Sequence, residues 1–370
     1  MALFDTNFAP RERRRLDRRQ RWGIVALVLA AAVALGFTIA PSPYVIEQPG
    51  PVFNTLGTSE GSDGKQVPLI SIDGTTSYDA TGALNMLTVS VVGNREHRVS
   101  WMQAGLAWFD AHQALLPIDA VFPIGQTTEQ QQEQNQAQMV DSQQDAIAAA
   151  LINMGYPVGR SVTVQALTDG SAAANILQVN DVITQANGHA VQSVDELRSI
   201  VNAGAGSAVV LTVQRGGATQ QLSVTPSKSA SGSWILGIGA IVTYTFPFTV
   251  SIQLNNVGGP SAGMMFALGI IAKLTPNGDL TGGKHWAGTG TIDADGNVGA
   301  IGGIAQKMVG ARSAGADYML APLSNCNEVT GHIPSGLDVY AVSTLTEAKT
   351  IVQTIAAGGD TSQLPRCPAS

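Results

Sequence analysis

The sequence predicts a multidomain chain of mixed helix and strand, tethered by one N-terminal transmembrane helix. Three observations predict it. Residues 22–40 form an apolar run of 19 residues without a charge. Residues 155–228 carry the turn and cap signals of a small β-rich domain with helices. Residues 234–357 alternate strand and helix patterns, as an α+β domain does. The 370 residues leave room for two or three domains, and a composition 44% hydrophobic and 13% charged supplies real cores and argues against disorder.

The tether comes first. Residues 1–22 hold seven arginines against three acids, and the remaining 348 residues carry 13 basic and 24 acidic groups, a net of −11. About 20 apolar residues span a bilayer core, and arginines just before them mark the cytoplasmic side. The expectation is a basic cytoplasmic segment at 1–21, an anchor at 22–40 and an acidic body outside the cytoplasm. A cleaved signal peptide and a buried core helix compete with this; the run is long for a signal peptide, and Pro41 follows it where cleavage would have to occur. An acidic body excludes an ordinary nucleic-acid binder. Cys326 and Cys367 are the two cysteines, able to pair or to stay reduced; no Cys/His cluster has zinc spacing, and no metal or cofactor is expected.

Residues 41–154 read as an N-terminal extracytoplasmic α+β region. Pro41-Ser42-Pro43 is a stiff spacer, and turns are expected at Pro49-Gly50-Pro51, Asp63-Gly64 and Asp73-Gly74. Residues 84–92 are the best strand, and 100–116 have helical spacing. Residues 126–138 are glutamine-rich, a linker or a solvated helix, and lead into a helix over 141–154 with apolar Ile147, Leu151 and Met154.

The unit at 155–228 opens with a strand at 161–167. Asn187-Gly188 signals a tight turn, Ser193 with Glu196 forms a capping box for a helix at 194–201, and 209–214 with 220–225 make a hairpin. With Ser171-Ala172-Ala173 before Leu177 and the run Val179 to Ile183, this resembles a PDZ domain of the bacterial protease-associated type. The resemblance implies that a peptide adds as a strand beside 161–167, facing helix 194–201, with its carboxylate held by a loop of Tyr156, Pro157, Val158 and Gly159 after Gly155. A spacer or an intramolecular gate is the other use of such a fold. Residues 226–233 have linker composition.

Chemistry concentrates in the last domain. A strand at 248–254 leads into Gly259-Pro260-Ser261-Ala262-Gly263 and an apolar helix expected over 261–274. A glycine-rich turn entering a helix exposes N–H groups suited to an oxyanion. Ser261 could equally be a plain helix N-cap. Farther on, Gly288 to Gly303 read as strand, Asp295-Gly296 turn and strand, and a helix from 304 to 313 places Lys307 among Ile304, Met308, Val309 and Ala311. Burial there would lower the lysine pKa and fit it to act as a base toward a serine; a lysine snorkelling from a helix face is the bland alternative. Gly278 to Lys284 fits G-x-x-x-x-G-K, but His285 stands where Ser or Thr is needed and no buried strand precedes it, so it is not a phosphate loop.

These two segments, with Ala311 to Ala316, Ala321-Pro322, Asn325 and Asn327-Glu328, resemble the proteolytic domain of Lon-type serine proteases over about 110 residues. The resemblance implies Ser261 as nucleophile, Lys307 as base, Thr289 as the group that positions the lysine, and an oxyanion hole from the backbone around Gly259, Pro260 and Ala262. It also implies polypeptide substrates and a homo-oligomer. With anchor, PDZ and no ATPase module, the arrangement is similar to the bacterial membrane-anchored, PDZ-containing Lon-like proteases, which predicts ATP-independent proteolysis, with residues 358–370 as a tail. A Ser–His–Asp triad is disfavoured because His285 and His332 sit in no triad motif. The alternative function is a non-catalytic, envelope-tethered scaffold, which the presence of both Ser261 and Lys307 disfavours.

Overall fold

A computed structural model describes residues 17–61, 64–255, 257–278 and 280–368. Most of the basic N-terminal segment and Asp63 of the expected Asp63-Gly64 turn lie outside the described residues. The chain divides into two compact units, one of residues 1–49 and 89–131, the other of 50–88 and 132–370.

In the first unit the apolar run becomes one helix, Arg18–Ile39, capped by Asp17 with Gln20 in a capping box. Its 22 residues are exposed along the whole length. At about 1.5 Å per residue they reach about 33 Å, enough for a hydrocarbon core of about 30 Å. The expected helix over 100–116 is shorter: it is Trp101–Trp108, and Ala114–Pro117 form a strand antiparallel to residues 44–47. Ala104 and Ala107 favour the helix, whereas Leu115 and Leu116 find register partners in Ile46 and Val45. Pro49-Gly50-Pro51 makes no turn. Tyr44–Asn54 is one continuous strand, because the fixed φ of proline is compatible with extended backbone.

The second unit contains both sequence-predicted domains. A parallel ladder joins His285–Gly288 to residues 83–86 on one side and to Tyr318–Pro322 on the other, and Tyr318–Pro322 pairs with Asp338–Val342. The helix Gly263–Leu274 is buried along almost its whole length in the core behind this ladder. Thr249–Ile252 pairs antiparallel with Ile70–Asp73. Residues 70–88 therefore build the same sheets as residues 249–342, and the expected boundary at 154 does not separate them. The reason is burial: Leu69, Ile70, Leu84 and Met86 are wholly buried in the same core as the helix Gly263–Leu274.

The β-rich unit has the strand order Ala218–Val224, Val209–Arg215, Val182–Ala186, Gly159–Leu167, Ile238–Thr245. Asn187 and Gly188 both have positive φ, as the tight turn requires, and Ser193 and Glu196 form the capping box of Val194–Ala203. The fifth strand is a correction. Ile238–Thr245, assigned by sequence to the last domain, pairs antiparallel along all of Gly159–Leu167, from Ile238 opposite Leu167 to Thr245 opposite Gly159.

Cys326 and Cys367 form a disulfide with Cα atoms 5.0 Å apart. Gly278 to Lys284 runs from a helix end into the strand His285–Gly288, the reverse of the strand-to-helix order of a phosphate loop.

Candidate active site

Ser261 lies outside the helix expected to begin with it. The helix starts at Gly263, its N-cap is Ala262, and no side chain caps it. The N-cap explanation of Ser261 thus falls away. The loop is shaped by glycines: Gly259 has φ +86°, and a Cβ at Gly263 would sit 2.8 Å from both Ile292 Cγ2 and Ser142 Oγ.

Three side chains meet here. Lys307 Nζ donates to Ser261 Oγ at 3.0 Å and to Thr289 Oγ1 at 3.2 Å. Thr289 Oγ1 donates to the Ser261 carbonyl at 3.0 Å, and the Gly290 N–H donates to the same carbonyl at 2.8 Å. Thr289 is wholly buried and Lys307 is 2% exposed. Ser261 is half-buried, so solvent and a substrate can reach it.

The helix Ile304–Ser313 aims Lys307. Gly303 is its N-cap in the left-handed region, at φ +67°, so the chain turns sharply into the helix there. Asn325, 2% exposed, holds the approach: Oδ1 accepts from the Ile301 N–H at 3.0 Å and Nδ2 donates to the Ile301 carbonyl at 2.9 Å.

Sequence reasoning missed two supports. The glutamine-rich stretch belongs to one helix, Thr128–Asn153. The Asn135 carbonyl accepts the Gly259 N–H at 2.8 Å, and Ser142 Oγ donates to the Pro260 carbonyl at 3.0 Å. Positions 135, 139, 142, 146 and 149 have helical spacing and face inward, but glutamines surrounding Met139 mask the stripe. Of the expected oxyanion backbone, Gly259 therefore has its N–H engaged and Pro260 has none to offer; Ala262 lies at the N-terminus of the 12-residue helix, the positive end of its dipole. Beside this loop a cleft of about 980 Å³ runs between Phe53, Glu60, Gln136, Met139, Leu254 and Val257.

The expected peptide site is arranged differently. The edge of Gly159–Leu167 is taken by Ile238–Thr245, and a Cβ at Gly159 would lie 3.2 Å from Thr245 Cβ. Tyr156 stands edge-on to Phe248 at 5.1 Å, and with Val158 it packs on the core around Gly263–Leu274; Pro157 is exposed. The sheet therefore ends at Ile238–Thr245, and a cleft of about 580 Å³ lies between residues 237–240 and the helix Val194–Ala203. Arg160 and Tyr244, register partners at the end of this ladder, reach outside the β-rich unit. Arg160 Nη1 pairs with Asp295 at 2.7 Å and Nη2 donates to the Ala294 carbonyl at 2.9 Å, while the Tyr244 hydroxyl donates to Asp145 at 2.6 Å. Burial pushes the Asp145 carboxyl above its ordinary range, partly offset by that hydroxyl.

His285 and His332 make no hydrogen bond to Ser261 among the described residues; His332 Nδ1 lies 3.2 Å from the Thr330 carbonyl. No group of three metal-ligating side chains occurs among the described residues.

Residues 256–355 match the Lon protease (S16) C-terminal proteolytic domain, and residues 124–225 match the PDZ domain. Lon protease 1 of Borreliella burgdorferi is 34% identical over 92 residues, 24% of this chain and 11% of that protein, so the chain spans about a tenth of the length of this relative. Among solved structures, PDZ domains of SdrC-like proteins from Listeria monocytogenes and Listeria innocua align at 24% and 23% identity. They cover 22% of this chain and 86% and 92% of theirs, each with a TM-score of 0.21. The chain thus carries a Lon-type proteolytic domain and a PDZ domain.

Proposed function

We propose that this protein is a membrane-anchored serine endopeptidase that works without ATP through a dyad of Ser261 and Lys307. The observation that carries the reading is the 3.0 Å hydrogen bond from the buried Lys307 Nζ to Ser261 Oγ. Desolvation disfavours an ammonium, so a lysine stripped of water is suited to accept the serine proton. Ser261 Oγ attacks the scissile carbonyl as its proton passes to Lys307 Nζ. The tetrahedral oxyanion is held by the Ala262 N–H, at the positive end of the helix Gly263–Leu274. Lys307 then returns the proton to the leaving amine, and water hydrolyses the acyl-enzyme by the same route in reverse. Thr289, bonded to both Lys307 and the Ser261 carbonyl, positions the dyad.

The substrates are polypeptides, laid along the cleft beside Leu254 and Val257. The PDZ unit recruits or gates these substrates, with the cleft beside the helix Val194–Ala203 as the place where a peptide would lie. The body lies outside the cytoplasm, a reading supported by the apolar helix and by the disulfide, which persists in oxidising compartments. The homo-oligomer implied by resemblance belongs to the same reading.

The test is cleavage of an unfolded protein by the full chain in detergent, without nucleotide. Ser261→Ala and Lys307→Ala should each lower kcat by about 10⁴-fold or more, the scale of losing a nucleophile or its base. His285→Ala and His332→Ala should leave it unchanged. Equal cleavage by all variants would remove the dyad from the mechanism, and a requirement for ATP would overturn the energy-independent reading.

A further inference from the structure

The first unit bears an apolar surface that the proteolytic reading does not use. The helix Trp101–Trp108 buries its small residues, Ala104 and Ala107, and turns its large ones outward. Leu106 is 68%, Trp108 73% and Phe109 88% exposed, with Trp101 and Met102 also exposed. Residues 102, 106 and 109 form one stripe and 101, 105 and 108 the adjacent one, following helical spacing. This is the reverse of a water-facing helix, whose large apolar residues point inward. No charge occurs from Val99 to Phe109.

What covers this face follows from where the helix begins. The Trp101 N–H donates to the Ala40 carbonyl at 3.1 Å, and the Ser42 N–H to the Val99 carbonyl at 2.8 Å. The first turn is therefore fastened to the residue that ends the apolar helix Arg18–Ile39. Tyr44 stands edge-on to Trp101 at 6.1 Å, so two amphipathic aromatics gather at that exit, where Trp and Tyr favour the headgroup layer. Arg98, exposed and one residue before the uncharged run, is placed for lipid phosphates.

We propose that Trp101–Trp108 with Phe109 is a second membrane element, lying in the headgroup layer of the leaflet next to the body, with Trp101, Met102, Leu106, Trp108 and Phe109 in lipid. This rests on reading Arg18–Ile39 as a membrane span. The span fixes position, and the interfacial helix fixes the rotation and tilt of the chain as it leaves the bilayer.

The test uses the full chain in vesicles of phosphatidylcholine and phosphatidylglycerol. Both native cysteines are in the disulfide, so single cysteines introduced as Leu106→Cys, Phe109→Cys, Leu29→Cys and Thr219→Cys take a nitroxide label selectively. The readout is label relaxation by oxygen, which concentrates in lipid, against a water-soluble nickel chelate. The labels at 106 and 109 should follow the anchor label at 29, and that at 219 should favour nickel. Nickel-favouring labels at 106 and 109 beside an oxygen-favouring label at 29 would overturn the interfacial helix and leave the anchor standing. A nickel-favouring label at 29 would remove the anchor, and this inference with it. Labels at 106 shielded from both reagents and broadened by each other would show that a second copy covers the face, which also overturns the proposal.

Discussion

Thr289 is the residue on which the dyad geometry turns. It accepts from Lys307 and donates to the carbonyl of Ser261, so one hydroxyl ties together both members of the proposed dyad. Thr289→Val should lower kcat by about 10–100-fold, the equivalent of the 1–3 kcal/mol that an abandoned buried partner costs, with KM little changed. Thr289→Ser should restore most of the rate; steady-state kinetics on the purified chain decides, and a KM effect alone would point to substrate binding. Asn325 acts one step further out. Replacing it with leucine leaves the Ile301 N–H and carbonyl unpaired, with an expected stability loss of about 1–3 kcal/mol measured by denaturant unfolding. The segments around Ser261 and Lys307 stand out in the sequence because a glycine-rich turn and a lysine within an apolar helix are local patterns; their proposed roles as nucleophile and base came from the resemblance to Lon-type proteases. Asn135 and Ser142 were not, because their role depends on backbone groups more than 100 positions away.

Among the elements, the strand Ile238–Thr245 departs most from the sequence reading. Its residues follow a serine-rich linker and precede the catalytic strand, so order along the chain assigns them to the last domain, while pairing assigns them to the PDZ sheet. If the strand is a settled part of that sheet, its amides should exchange with deuterium at the same slow rate as those of Gly159–Leu167. Rapid exchange confined to 238–245 would mean that the edge opens and that peptides can compete for it. The same unit has a defined response to acid. The Arg215 guanidinium holds the buried Asp181 carboxyl below its ordinary range, with the Gln178 N–H adding to the effect. A depressed carboxylate pKa adds stability that is present above the unfolded value and lost as pH falls through the folded one. The contribution should therefore disappear below about pH 4, the ordinary carboxylate range. Asp181→Asn should flatten this acid limb in pH-dependent unfolding and lower stability at neutral pH.

Over the whole molecule, two long-range ties set the stability of the proteolytic half. The disulfide closes a separation of 41 residues, from Cys326 beside the Lys307 helix to Cys367 near the end of the described chain. A loop of that length is worth about 2–4 kcal/mol. Cys326→Ser with Cys367→Ser should therefore lower the melting temperature by several degrees while leaving kcat near the parent value, checked by calorimetry and by cleavage at low temperature. The second tie is the sheet itself, in which residues 83–86 lie beside His285–Gly288 at a sequence distance of about 200. Removing residues 41–88 should unfold the catalytic core, not merely detach it.

By itself the sequence determined what local spacing can carry: the apolar span, the tight turn and capping box of the PDZ unit, and the serine and lysine with their glycine frames. These depend on backbone preferences and side-chain periodicity within a few residues. Only the tertiary structure decided which strand fills the PDZ edge, that a glutamine-rich helix supports the serine loop, that residues 70–88 complete the proteolytic sheets, and that the two cysteines pair. Each of those is a contact between distant segments, selected by the need to bury apolar surface while every buried N–H and carbonyl finds a partner. That condition is met over the whole fold and leaves little trace in the order of the residues.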